Sequence, residues 1–166
     1  MTKDVKMKRI LVSFYSVLAL GSAANAAPAP APAVNNGYDW AMRVNDEERA
    51  QSAILAYEVD GTDDQPLNFT CEEGGDRVFA GISGGALNLT AIELEAGGQR
   101  VRLTGTTDAD ELPTFTAQEM PATSPLFRAF AANGWLRMTA DGATVDMAAT
   151  PGGKQAIARF VKFCAG

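Results

Sequence analysis

The sequence closes on ARFVKFCAG, which puts one cysteine, Cys164, two positions before the last residue. Its sole counterpart, Cys71, lies more than ninety residues upstream. Chain ends fray, so a thiol in that place is expected to be tied down. The spacing fits no metal site, and two thiolates in a chain without histidine make a poor zinc ligand set. A redox-active pair is expected as C-x-x-C. What remains is a structural Cys71–Cys164 bridge, the normal fate of an isolated pair in an oxidising compartment. Closing so long a loop stabilises by about 4–5 kcal/mol in the chain-entropy model. Any fold adopted here must bring the end of the last element against the strand that carries Cys71.

The front of the chain points to the same compartment. Lys3, Lys6, Lys8 and Arg9 precede an apolar run at 10–20 and the small residues GSAANA, with Ala24 and Ala26 suited to a cleavage site after residue 26. Residues 1–26 therefore read as a signal peptide, with Met7 as an alternative start. The apolar run is about half of the roughly 20 residues a membrane span requires. No cysteine follows it closely, and no later stretch is long and apolar enough to insert stably in a membrane. The expected location is periplasmic or secreted.

Residues 27–37, APAPAPAVNNG, form an Ala/Pro-rich tether that favours extended polyproline II and cannot build a core. A single domain is expected over 38–166, long enough for a real core. Without residues 1–26 the 14 basic and 20 acidic residues become 10 and 19, a net charge of about −9. A chain so acidic lacks the basic footprint that nucleic acid requires.

Alternation in YDWAMRVN places Tyr38, Trp40, Met42 and Val44 on one face of a half-buried strand. AILAYEV (53–59), LNFTC (67–71) and RVFAGI (77–82) continue as strands, with Leu67, Phe69 and Cys71 pointing one way. Two hairpins can be read in register. A Gly97-Gly98 turn pairs Leu94 with Val101 and Ile92 with Leu103, and on the other face Glu95 with Arg100 and Glu93 with Arg102. An Asp141-Gly142 turn pairs Met138 with Val145, Leu136 with Met147 and Arg137 with Asp146. One apolar and one ion-paired face demand an antiparallel sheet with one side in water. Two helices complete the set. One starts at Ser124 and Pro125 and stops at Asn133-Gly134; the other starts at Thr150 and Pro151 and buries Ile157, Phe160, Val161 and Cys164. Gly152 and Gly153 weaken its first turn. The fold class is α+β: mostly antiparallel β-sheet, with a short helix and a C-terminal amphipathic helix packed on the sheet.

Candidate chemistry is sparse. Residues 81–85, GISGG, fit G-x-S-x-G, but a nucleophilic serine needs a base and the chain has no histidine. Lys154 and Lys162 are the alternatives, both on the terminal helix, and a glycine-rich turn is the expected role of the segment. Asp60, Asp63 and Asp64 crowd one loop and Asp108, Asp110 and Glu111 another, and either could offer hard oxygen ligands to calcium, though neither has EF-hand spacing. A glycosidase-like acid pair would need a carboxyl in an apolar pocket, and these loops are hydrophilic. Asn68 and Asn88 open N-x-T sequons, which matter only in a eukaryotic secretory path. Tyr38, Trp40 and Trp135 are expected in the core rather than on an aromatic binding face.

Trp40, the acidic pair Asp63-Asp64, the strand Leu67 to Cys71, Leu126-Phe127 and the helix Ala156 to Cys164 share a layout with small Gram-negative periplasmic proteins. The chain resembles the type VI secretion-associated VasI-like proteins and, more distantly, the invasion-associated locus B group. The resemblance implies a periplasmic, bridged module without catalytic residues. Taken together, the expectation is an exported non-catalytic interaction or binding module with another envelope protein as partner and no cofactor. The alternative is a carboxylate-based hydrolase or calcium-dependent binder using the acidic loops.

Overall fold

A computed structural model describes residues 30–35, 37–47, 50–86, 88–109 and 111–166. The signal-peptide reading and the first residues of the tether fall outside them, and residues 30–35 carry no helix or strand. Nine strands form one sheet: β1 Tyr38–Asn45, β2 Ser52–Val59, β3 Leu67–Glu72, β4 Val78–Ser83, β5 Ala91–Ala96, β6 Gln99–Asp108, β7 Thr114–Ala117, β8 Trp135–Ala140 and β9 Ala143–Ala148. Helix α1 spans Pro125–Asn133 and α2 spans Pro151–Ala165. The strand order is β1-β2-β3-β4-β7-β6-β5-β8-β9, and every neighbouring pair is antiparallel. The α+β class, mostly antiparallel sheet with two helices packed on it, is what the alternation in the sequence requires.

Both hairpins adopt the register read from the sequence, pair for pair. Their turns use positive φ at Gly97 and Gly98 and at Asp141 and Gly142, the signature of a turn whose twist matches the flanking strands. One element escaped the sequence reading. Strand β7, TFTA, is only four residues long and offers just Phe115 and Ala117 to the core. It nevertheless joins β4 to β6, and so the first four strands to the two hairpins. Strand β6 also runs past Leu103, to Asp108, to meet it.

Side chains of one parity on all nine strands make a continuous apolar face, and both helices lie on it. Trp40, Leu55, Phe69, Ala80, Phe115, Leu94, Leu136 and Met147 are buried there with Phe127 and Phe130 of α1 and Ile157 and Phe160 of α2. Phe69 meets Phe127 edge-on at 5.2 Å, and Trp40 meets Phe130 edge-on at 4.9 Å, the geometry aromatic pairs prefer. Val44, expected on the inner face, is 44% exposed, because it falls in the last three residues of β1, Arg43 to Asn45, all of which are open to water. Trp135 is buried, as expected, and Val161 is half-buried.

The sheet nearly closes on itself. Trp40 on one end strand donates its indole N–H to the Met147 carbonyl on the other, at 3.2 Å. Helix α2 follows β9 directly and lies along β1 in the same direction: Asp39 grips Thr150 and Gly153 at one end, and Met42 and Val44 share a groove with Arg159, Lys162 and Phe163 at the other. The Cys71–Cys164 disulfide, with a Cα–Cα distance of 5.8 Å, fastens its last turn to β3. The EEGGD turn after β3 does the rest. Its Gly74 and Asp76 N–H groups donate to the Phe163 and Cys164 carbonyls, at 2.9 and 2.8 Å, satisfying groups that a helix end leaves without partners. The Asp76 carboxylate accepts from the N–H and hydroxyl of Thr123, just ahead of the Ser124 cap of α1. One turn thus positions both helices.

Candidate functional site

Ser83 of the G-x-S-x-G segment ends β4 and is exposed. Gly84 follows with φ +73 and donates its N–H to the Pro113 carbonyl at 2.8 Å, steering the chain so that β4 can pair with β7. Gly84 and Gly85 serve the turn, while Gly81 lies inside β4, paired with Asn68 and Thr116. Lys154 and Lys162 lie on α2, which packs on β1, β2 and β3.

Asp60, Asp63 and Asp64 are all exposed. The loop holds itself together: Thr62 donates its hydroxyl to the Val59 carbonyl, and the Asp64 N–H donates back to that hydroxyl. The Asp64 carboxylate accepts the Tyr38 hydroxyl, and this bond, followed by burial and the carboxylate's charge, raises the Tyr38 pKa. Asp64 therefore joins the loop to the start of β1. Asp108 and Glu111 are exposed, and Asp110 is outside the described residues. Among the described residues no three acidic, cysteine or histidine side chains converge as a metal would require.

The outward face of the hairpin half carries a transverse row of alternating charge. Arg100, Glu95, Arg137 and Asp146 stand side by side on β6, β5, β8 and β9. Arg100 binds Glu95 at 2.6 Å, and Arg137 clamps Asp146 with two bonds at 2.6 and 3.0 Å. Each charge is neutralised by its neighbour, which suits a solvated sheet face. The Arg137 guanidinium, through those bonds, holds the Asp146 carboxyl below its usual range against a smaller opposing effect of burial. A carboxyl depressed in the folded state contributes stability above its unfolded pKa of about 4 and loses it as pH falls through the lower folded value. Asp146 is 38% exposed, so screening keeps the contribution to about half a kcal/mol. Urea unfolding at pH 6 and pH 3 is expected to show wild type losing more stability than Asp146→Asn over that interval; equal losses contradict the clamp.

Glu58 is the one charged residue that is buried among the described residues, at 7% exposure. Arg43 meets it with both ends of its guanidinium, and Gln65 donates to it at 2.9 Å. To reach Glu58, Arg43 must cross the Ala41–Ala56 pair, and Ala56 is fully covered. The sequence hides this cluster because its members sit on separate elements. Burial, then the charge of Asp39, raises the pKa of Tyr57, whose hydroxyl has no partner among the described residues.

Four open clefts remain among the described residues; one, about 310 Å³, is lined by Asn88, Thr90, Arg102 and Asp141. Two share Phe79, an outward ring with the Arg77 guanidinium 5.7 Å from its centre. One, about 370 Å³, is lined by Ser52, Thr70, Glu72 and Arg77; the other, about 400 Å³, by Thr104, Thr106, Thr116 and Gln118. The fourth, about 500 Å³ and mostly apolar, lies between β1 and α2 and is lined by Met42, Val44, Phe163, Glu73, Arg159 and Lys162. No helix of the described residues is long and apolar enough to cross a membrane. No protein family, curated protein or solved structure matches this chain.

Proposed function

We propose that the chain is an exported interaction module without catalytic activity, held out on the 27–37 tether in an oxidising, periplasmic or secreted setting. The observation that carries this reading is the buried Cys71–Cys164 bridge, which fixes the last helix to the sheet interior. A cytosolic protein of this kind would have its thiols kept reduced. The tripartite leader and the absence of histidine from the sequence lean the same way. So does the layout shared with VasI-like periplasmic proteins. In this reading the sheet and its two helices are a rigid scaffold, and recognition takes place on the surface.

The test is photo-crosslinking in cells of the source organism, with the reactive residue placed at exposed positions Ala158 on α2 and Thr116 on the outer sheet. The same cells supply intact mass under non-reducing conditions. Expected are a mass lacking residues 1–26 and two hydrogens, and a discrete crosslinked partner from the envelope. Free thiols on a chain recovered from the cytosol, or no crosslink at either position, overturn the proposal.

A further inference from the structure

The basic residues of this acidic chain are unevenly placed. Helix α2 contains no Asp or Glu, whereas the sequence as a whole has 20 of them. Beyond Gly153 its exposed residues within the helix, Lys154, Gln155, Ala158, Arg159 and Lys162, fall within one arc of about 140° at helical spacing. The four ion pairs among the described residues all use arginines of the sheet or its turns: Arg43, Arg77, Arg100 and Arg137. The three cations of α2 enter none of them. Two of the three, Arg159 and Lys162, line the mostly apolar groove together with Met42, Val44, Phe163 and the acidic Glu73. Val44, at 44% exposure, is among the few large apolar side chains the protein leaves in water.

We infer that the outer face of α2, with the groove it shares with β1, docks an acidic segment of a partner protein that carries a large apolar side chain. The inference rests on the interaction-module reading and names the surface and the partner chemistry. Charge complementarity selects the acid: the three cations of α2, in no ion pair among the described residues, steer and orient an anionic segment, while the acidic remainder of the surface disfavours it elsewhere. The groove selects the anchor, because a concave apolar site of this size fills with one or two side chains of a segment laid across it. An anionic membrane fits less well. Membrane-surface elements insert protruding apolar side chains, and here the apolar atoms line a hollow. Glu73, in the same lining, disfavours an acid beside it and so biases which way the segment lies.

The test uses the chain from residue 27 onward, oxidised, with a fluorescein-labelled peptide Asp-Glu-Phe-Asp-Leu-Glu-Asp-Glu, a twin with lysine at every acidic position, and phosphatidylglycerol–phosphatidylcholine vesicles. Anisotropy is expected to report binding of the acidic peptide only. Affinity should fall at least tenfold in the triple variant Lys154→Gln/Arg159→Gln/Lys162→Gln and in Val44→Asp, both surface changes that leave the fold intact. Equal binding to wild type and the triple variant overturns the inference. So does vesicle binding without peptide binding, or a concentration-dependent dimer by ultracentrifugation that the triple variant abolishes. Crosslinks from Thr116 but none from Ala158 sink this surface and leave the module reading standing; silence at both positions removes both.

Discussion

Replacing both cysteines, Cys71→Ala with Cys164→Ala, is expected to lower the melting temperature by about 15 °C. The bridge joins residues 93 apart, and in the chain-entropy model its loss returns about 4–5 kcal/mol of freedom to the unfolded chain. That is a large share of what a domain of this size has to spare. The native state should nevertheless persist at 25 °C. The last turn of α2 stays hydrogen-bonded to the Gly74 and Asp76 N–H groups, and its first turn stays held by Asp39. Hydrogen exchange separates the two ends: amides at 160–165 should lose protection in the variant while amides at 153–157 keep most of theirs. Calorimetry and urea unfolding measure the loss. A change below 1 kcal/mol, or equal loss of protection along the whole helix, contradicts the role given to the bond. Reductant alone should act slowly on the folded protein, since Cys71 and Cys164 are 4% and 0% exposed.

That bond was legible in the sequence for a simple reason: two cysteines allow one pairing. The hairpins were legible because register is local, fixed by a two-residue turn and the alternation on either side. The helix caps were legible too, since Ser124 and Thr150 act within three residues of themselves. What the sequence conceals is long-range. Nothing in TFTA announces that it will join β4 to β6, because four residues with two apolar side chains carry little periodicity. Nothing in EEGGD announces that its N–H groups will cap a helix almost ninety residues later. The same holds for the candidate surface. The lysines and Arg159 are visible as letters, but that they enter no ion pair among the described residues appears only once Arg43, Arg77, Arg100 and Arg137 are seen to take those pairs.

The glycines at the start of α2 pose the sharpest case, because propensity and structure predict opposite signs. An alanine in place of Gly153 should strengthen a helix by about 1 kcal/mol on intrinsic grounds. Here a β-carbon on Gly153 would stand 1.9 Å from Oδ1 of Asp39 and 2.7 Å from its Cγ. That carboxylate is the second cap of the helix. It accepts the Thr150 N–H at 3.0 Å, the Gly153 N–H at 3.1 Å and the Thr150 hydroxyl, and it draws β1 to the start of α2. A methyl group must expel it. Hydrogen bonds to a charged acceptor are worth about 1.5–3 kcal/mol each, and water recovers part of the loss. Gly153→Ala is therefore expected to destabilise by about 2 kcal/mol net of the propensity gain. The decisive measurement is the cycle with Asp39→Ala. Once the carboxylate is gone the clash goes with it, and Gly153→Ala in that background should stabilise by up to about 1 kcal/mol. A substitution that changes sign when a residue more than a hundred positions away is removed can be explained only by direct contact between the two. If Gly153→Ala raises the melting temperature of the otherwise wild-type protein, Asp39 does not hold the helix in the way its hydrogen bonds indicate.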